Sequence, residues 1–127
     1  MPPLLLVMIG GAIGAGFRYQ VGSAALRNLG PGFPWGTWIV NLLGALLMGI
    51  LAGLLARAFS PADGEPLRLF IGVGVLGGFT TFSAFSLEAV NMLLRGQIVR
   101  AAAYAVSSVA GSILMLMVGL FATRAIA

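Results

Sequence analysis

Four long apolar stretches, separated by short polar turns rich in Gly and Pro, set the pattern of this chain. Leu4 to about Ala25 is the first, ending before Arg27 and the turn-forming Gly30-Pro31-Gly32. Trp35 to about Phe59 is the second; Pro34 suits the first helical position, and Trp35 and Trp38 supply an interfacial aromatic belt. Ser60-Pro61-Ala62-Asp63-Gly64-Glu65-Pro66 reads as a polar loop full of breakers. Leu67 to Leu94 is the third stretch and Ile98 to about Ala122 the fourth. Each is long enough to cross a bilayer, which takes about 20 apolar residues as a helix. The pattern predicts an all-α membrane protein, one transmembrane domain over residues 1–127, with both termini on one side. The opening MPPLLLVMIGG lacks a basic leader region and its apolar run continues past Gly16, so a first membrane helix is expected there, not a cleaved signal.

The third stretch is too long. As one helix, residues 67–94 would reach about 42 Å, against a hydrocarbon core of about 30 Å. In its middle Gly72, Gly74, Gly77 and Gly78 run into Phe79-Thr80-Thr81-Phe82-Ser83. Glycine and β-branched threonine are poor helix formers, and hydroxyls can satisfy freed backbone groups. A break near residues 77–81 is therefore expected, with unpaired carbonyls about halfway through the bilayer, where transport proteins build ion sites. The alternative is that the glycines only permit close packing, but packing alone would not need the Thr-Thr pair.

Composition narrows the chemistry. With 60% apolar and 8% charged residues and a mean hydropathy of +1.07, a soluble domain is excluded. There is no Cys and no His, so no thiolate or imidazole nucleophile, base or metal ligand. The net charge of +4 comes from arginines scattered singly at helix ends, which are membrane anchors and not a nucleic-acid patch. Those arginines also split evenly: Arg57, Arg68 and Arg124 on the side of the N-terminus, Arg27, Arg95 and Arg100 on the other. Positive residues in loops normally fix orientation. A chain without that bias can insert both ways, and two opposed copies can pair as an antiparallel, dual-topology homodimer.

Gly72-Val73-Gly74-Val75-Leu76-Gly77 matches G-x-G-x-x-G, but no strand–helix–strand unit and no acidic residue about 20 positions on accompany it, so it is discarded. Small residues four apart at Gly10/Gly14, Gly49/Gly53 and Gly74/Gly78 indicate tight helix contacts. Polar residues inside the spans say more, because each must be paired or wetted. Thr37, Asn41 and Gly44 share a face of the second span. Tyr104, Ser108 and Ser112 form a one-turn stripe on the fourth. Phe79, Phe82 and Phe85 repeat every three residues beside Thr80, Thr81, Ser83 and Ser86. A single membrane serine is ordinarily interhelical glue; three converging stripes of neutral donors exceed that. Phenylalanines are ordinarily core, yet their positive ring edges can flank an anion. Apart from the arginines at helix ends, two charges are left inside the spans. Arg18, about 21 Å along the first helix, either snorkels or raises the potential at a pore mouth. Glu88 either pairs with an arginine or sits in a vestibule. No acid/base pair or activated nucleophile is evident, so an enzyme is not expected.

These residues resemble the Fluc (CrcB) fluoride channel family. The resemblance lies in Gly10-Gly11-Ala12-Ile13-Gly14-Ala15 with Arg18-Tyr19, in Gly36-Thr37-Trp38-Ile39-Val40-Asn41-Leu42-Leu43-Gly44, and most specifically in Gly74-Val75-Leu76-Gly77-Gly78-Phe79-Thr80-Thr81-Phe82-Ser83-Ala84-Phe85. It implies a multi-pass bacterial inner-membrane protein, an antiparallel homodimer with two fluoride pores and a structural sodium ion at its centre, protecting cells by passive fluoride leak. By position, Asn41 would donate its amide to the ion and Phe82 and Phe85 would line the aromatic part of the pore. Tyr104 and Ser108, with the Thr80, Thr81 and Ser83 hydroxyls, would form a polar track. Gly77 and Thr80 would give backbone carbonyls to sodium, and Arg18 would sit near a vestibule. Thr37 and Ser112, from the stripes, join the candidate pore set.

Independently, a two-fold axis relating opposed copies lies in the membrane plane, so only midplane segments meet their own copy across it, and an all-oxygen cage there suits a hard cation. The alternative is a small proton-coupled multidrug-type exporter, which needs a carboxylate in the first helix; residues 4–25 contain none. A non-transporting scaffold held by glycine contacts would not require the aligned polar stripes.

Overall fold

The computed structural model describes residues 1–125, and every regular element in them is helical. Helix α1 runs Pro3–Leu29, α2 Trp35–Ala58, α3 Pro61–Leu67, α4 Gly77–Phe79, α5 Ser83–Leu94 and α6 Ile98–Ala125. Between α3 and α4 the chain winds through Arg68–Leu76 as a π-helix. Four segments are long and apolar enough to cross a membrane: Pro3–Leu29, Trp35–Ala58, Pro61–Leu94 and Ile98–Ala125. α2 packs along α6, and α1 packs along the π-helix and α4.

The third crossing differs in detail from its sequence reading. It begins at Pro61, inside the expected loop, because the loop's residues make a helix start: the Ser60 side chain accepts the Asp63 N–H at 3.1 Å, and Pro61 takes a first-turn position where its missing N–H costs nothing. Pro66, lacking an N–H, interrupts the helical ladder at the Ala62 carbonyl, and the wide turns follow from Arg68. The Gly77 N–H reaches back to the Gly72 carbonyl, five residues away. Wide turns advance the chain less per residue, which helps fit 34 residues into a thickness that about 20 would span.

The break in this crossing is real, and its cause is narrower than glycine content suggests. Gly77 and Gly78 are helical; the backbone leaves the helix at Thr80 (φ −85°, ψ 160°) and re-enters at Ser83. Threonines make the gap. The glycines serve the crossing with α1: a Cβ on Gly14 would collide with the Val75 carbonyl, and one on Gly78 would strike the Gly11 backbone. All three small-residue pairs lie at such close approaches, Gly49 and Gly53 against α6. Gly96, at φ +78°, closes α5 with its N–H on the Leu93 carbonyl and the Gln97 N–H on the Met92 carbonyl.

Candidate functional site

The gap at Thr80–Phe82 is held open by side chains that take over backbone hydrogen bonds. In an unbroken helix the Thr81 N–H would go to the Gly77 carbonyl; here it goes to Asn41 Oδ1 at 2.8 Å. Asn41 Nδ2 returns a bond to the Thr81 carbonyl at 2.9 Å. The Ala84 N–H, which an unbroken helix would send to Thr80, goes to Thr81 Oγ1 at 3.2 Å and caps α5. The Gly78 carbonyl accepts from Arg18 Nε at 3.0 Å. The carbonyls of Gly77, Gly78, Phe79 and Thr80 thus all lack their helical N–H, those of Gly77 and Thr80 because side chains have taken it. Thr80 keeps its own N–H and its Oγ1 on the Leu76 carbonyl, each at 3.0 Å. α2 is shaped for this contact: Asn41 clamps Thr81, and Gly44 leaves room for the Thr80 methyl.

A groove of about 420 Å³ opens beside the gap, between α2 and α6. It brings together Asn41, Gly77, Thr80, Thr81, Phe82, Phe85, Ser108 and Ser112 from three segments distant in sequence. Its remaining wall is aliphatic, including Leu76, Met48 and Leu116, and it carries no charged side chain. Phe82 and Phe85 lie with ring centroids 5.6 Å apart. Phe82 is 76% exposed on the groove's outer side, while Phe85 is buried.

Ser108 stands out within this set. Its hydroxyl is buried and has no hydrogen-bond partner among the described residues. Buried polar groups are nearly always paired, and Ser108, a residue that lines the groove, has a buried hydroxyl left without a partner within the protomer. Asn41 is similar: its amide has two N–H bonds and Thr81 takes one.

Other candidates fall outside the groove. Tyr104 is fully buried behind Phe85, with ring centroids 5.1 Å apart, and donates its hydroxyl to Glu88 Oε1 at 3.2 Å. Glu88 therefore meets a tyrosine, and no arginine pairs with it among the described residues. Ser83 is exposed, 3.5 Å from Thr81 Oγ1. Arg18 and Thr37 line a second cavity of about 400 Å³ on the other side of Thr81, between α1 and α2. Arg18 is half-buried there, tied to the gap itself.

Sequence reasoning missed two further contacts. Trp38 Nε1 donates to Ser107 Oγ at 3.0 Å, so this tryptophan ties α2 to α6 as well as serving the interfacial belt. Phe33, from the turn before α2, packs edge-on against Tyr104 at 5.3 Å. The aromatic spacing of Phe33, Trp35 and Trp38 was the available signal, but it does not say which helix they meet. Among the described residues no three His, Cys, Asp or Glu side chains cluster.

The match with known proteins follows these same segments. Residues 5–120 fit the model of the CrcB-like protein family, described as camphor resistance (CrcB). A Sphingopyxis alaskensis protein named fluoride-specific ion channel FluC is 54% identical over 124 residues, covering 98% of this chain and 97% of its own. A Novosphingobium aromaticivorans protein of the same name is 51% identical over 129 residues, with both chains fully covered. A third of that name, from Mesorhizobium japonicum, is 45% identical over 97% of each chain. Matched by the family model over the first helix, the broken crossing and most of the last helix, and aligned end to end with these relatives, the chain belongs to the CrcB-like protein family.

Proposed function

We propose that this protein is a fluoride-selective passive ion channel of the bacterial inner membrane, which lets fluoride leave the cell and lowers its cytoplasmic level. The observation that carries this reading is the orphan Ser108 hydroxyl in an uncharged groove beside two phenylalanines and the spare N–H of Asn41. Fluoride is small and holds water strongly, so a pore has to replace hydration with hydrogen bonds. Hydroxyls, one carboxamide and positive ring edges do so without a fixed charge, so the ion binds and still leaves. No bond is made or broken, and the protein is not an enzyme.

In this reading Asn41, Phe82 and Phe85 receive the ion, and Thr80, Thr81, Ser83, Ser108 and Ser112 supply further hydroxyls. Tyr104 and Thr37 continue the path toward Glu88. Arg18 contributes positive potential from the adjoining cavity, as a vestibule residue. The groove is open on one side, where Phe82 projects, and a second copy in the opposite orientation closes it, giving an antiparallel homodimer surrounded by lipid. The even division of arginines between the two sides supports that arrangement.

A structural sodium ion at the dimer centre completes the proposal. The residues fit one: Gly77 and Thr80 carbonyls are released by the Asn41 and Thr81 side chains, and neutral oxygen suits a hard cation. Held by these carbonyls, the ion would supply only a positive charge that draws the two broken crossings together. α1 contains no carboxylate, so nothing favours the proton-coupled exporter. The test is fluoride flux from purified protein in liposomes: passive, proton-independent fluoride loss supports the channel, and uptake driven by a proton gradient or no flux at all rejects it.

A further inference from the structure

We infer that Arg18 is a positioning residue for the cation cage, holding the Gly78 carbonyl out of the oxygen set that Gly77 and Thr80 present. The inference rests on the sodium reading above. Gly78 and Phe79 lie between the two cage residues in sequence, and the break leaves all four carbonyls without a helical N–H. Of the four, Gly78 is the one that a side-chain donor takes up. Arg18 Nε occupies Gly78 at 3.0 Å across 60 positions of sequence, from a helix that Gly78 itself lets approach closely.

The guanidinium has five N–H bonds, and this contact uses one of them. The others remain available to the second cavity, which Arg18 lines with Thr37, Ser23 and Thr81. One side chain therefore carries two separable properties: a charge facing a cavity, and a donor fixed on one carbonyl. Released from that donor, the Gly78 oxygen is free to turn toward the cage, adding one ligand per copy. More oxygens and a looser ring favour a larger cation. Arg18 thus sets cation size, sodium over potassium, through coordination number.

Two substitutions separate donor from charge. Arg18→Gln removes the charge but carries an amide nitrogen at the same number of bonds from Cα as Nε, so it can keep the bond to Gly78. Arg18→Met has similar length and neither property. Wild type and both variants are prepared throughout in sodium, in potassium or in a large organic cation, and thermal unfolding of the dimer is followed by tryptophan fluorescence. The ratio of potassium to sodium concentration giving half-maximal protection is the readout. We expect Arg18→Gln to keep the wild-type ratio and Arg18→Met to lower it at least ten-fold. A role in folding alone would lower stability equally in all three salts and leave the ratio intact. Arg18→Met at the wild-type ratio, or Gln and Met equally impaired, overturns the inference. If Arg18→Met yields no dimer, Arg18→Gln decides: the wild-type ratio supports, and its loss overturns. A wild type equally stable in sodium, potassium and the organic cation removes the cage reading itself, a failure distinct from that of Arg18.

Discussion

At the scale of single residues, the site is a matter of which hydrogen bonds are already spent. Ser108 Oγ is buried and unspent, so Ser108→Ala separates stability from function. A buried, unpaired polar group costs about 1–3 kcal/mol, and its removal should leave thermal stability equal or slightly higher. Fluoride flux should nevertheless fall ten-fold or more; parallel melting and flux assays check both halves. Asn41→Asp works in the opposite sense. The oxygen that accepts from Thr81 remains, but the donor to the Thr81 carbonyl is gone and an anion stands beside the path. Two like charges about 4 Å apart repel by roughly 4 kcal/mol at an effective dielectric near 20, so flux should collapse at neutral pH. Protonation of the Asp removes the repulsion, so flux should partly recover as pH falls; identical flux at both pH values would contradict this account. Phe82→Ile and Phe85→Ile keep bulk but lose the ring edge, and each should reduce flux while the dimer persists.

At the scale of elements, the broken crossing is fixed from both ends. Thr81 Oγ1 caps α5 through the Ala84 N–H, and loss of a cap of this kind costs about 1 kcal/mol. Thr81→Val should lower stability by about that amount, readable as a shift in melting temperature. Gly14→Ala should be far more damaging, because its Cβ would meet the Val75 carbonyl, which cannot move aside. Much of this was open to reading in the sequence, for a physical reason. A polar side chain in an apolar span has few excuses, so Asn41, Ser108 and Ser112 declared themselves, and the crowding of Gly and Thr declared a break. The hydrogen-bond register was not open to reading. The polar stripes mark a face on their helices but not which neighbour that face meets, and only the fold shows that Thr81 binds Asn41 or that Arg18 binds Gly78. The helical start at Pro61 was hidden for the opposite reason: Ser-Pro-x-Asp serves a turn and a helix cap equally well.

At the scale of the whole molecule, the proposed channel makes the protomer half of a device. Its groove is open where Phe82 projects, and its arginines give no orientation a preference. C-terminal reporters active on only one side of the membrane should therefore give signal from both sides. Adding a pair of lysines between Pro61 and Pro66 should bias insertion toward one orientation and lower activity; full activity in a uniformly oriented population would contradict the antiparallel dimer. The most direct test of the central claim is a fluoride electrode outside liposomes that hold the purified wild-type protein and potassium fluoride. With valinomycin to carry the counter-ion, fluoride should appear outside rapidly and down its gradient, without a proton gradient, while liposomes loaded with potassium chloride release almost no chloride. Fluoride release no faster than from empty liposomes, or equal release of fluoride and chloride, would contradict a fluoride-selective channel.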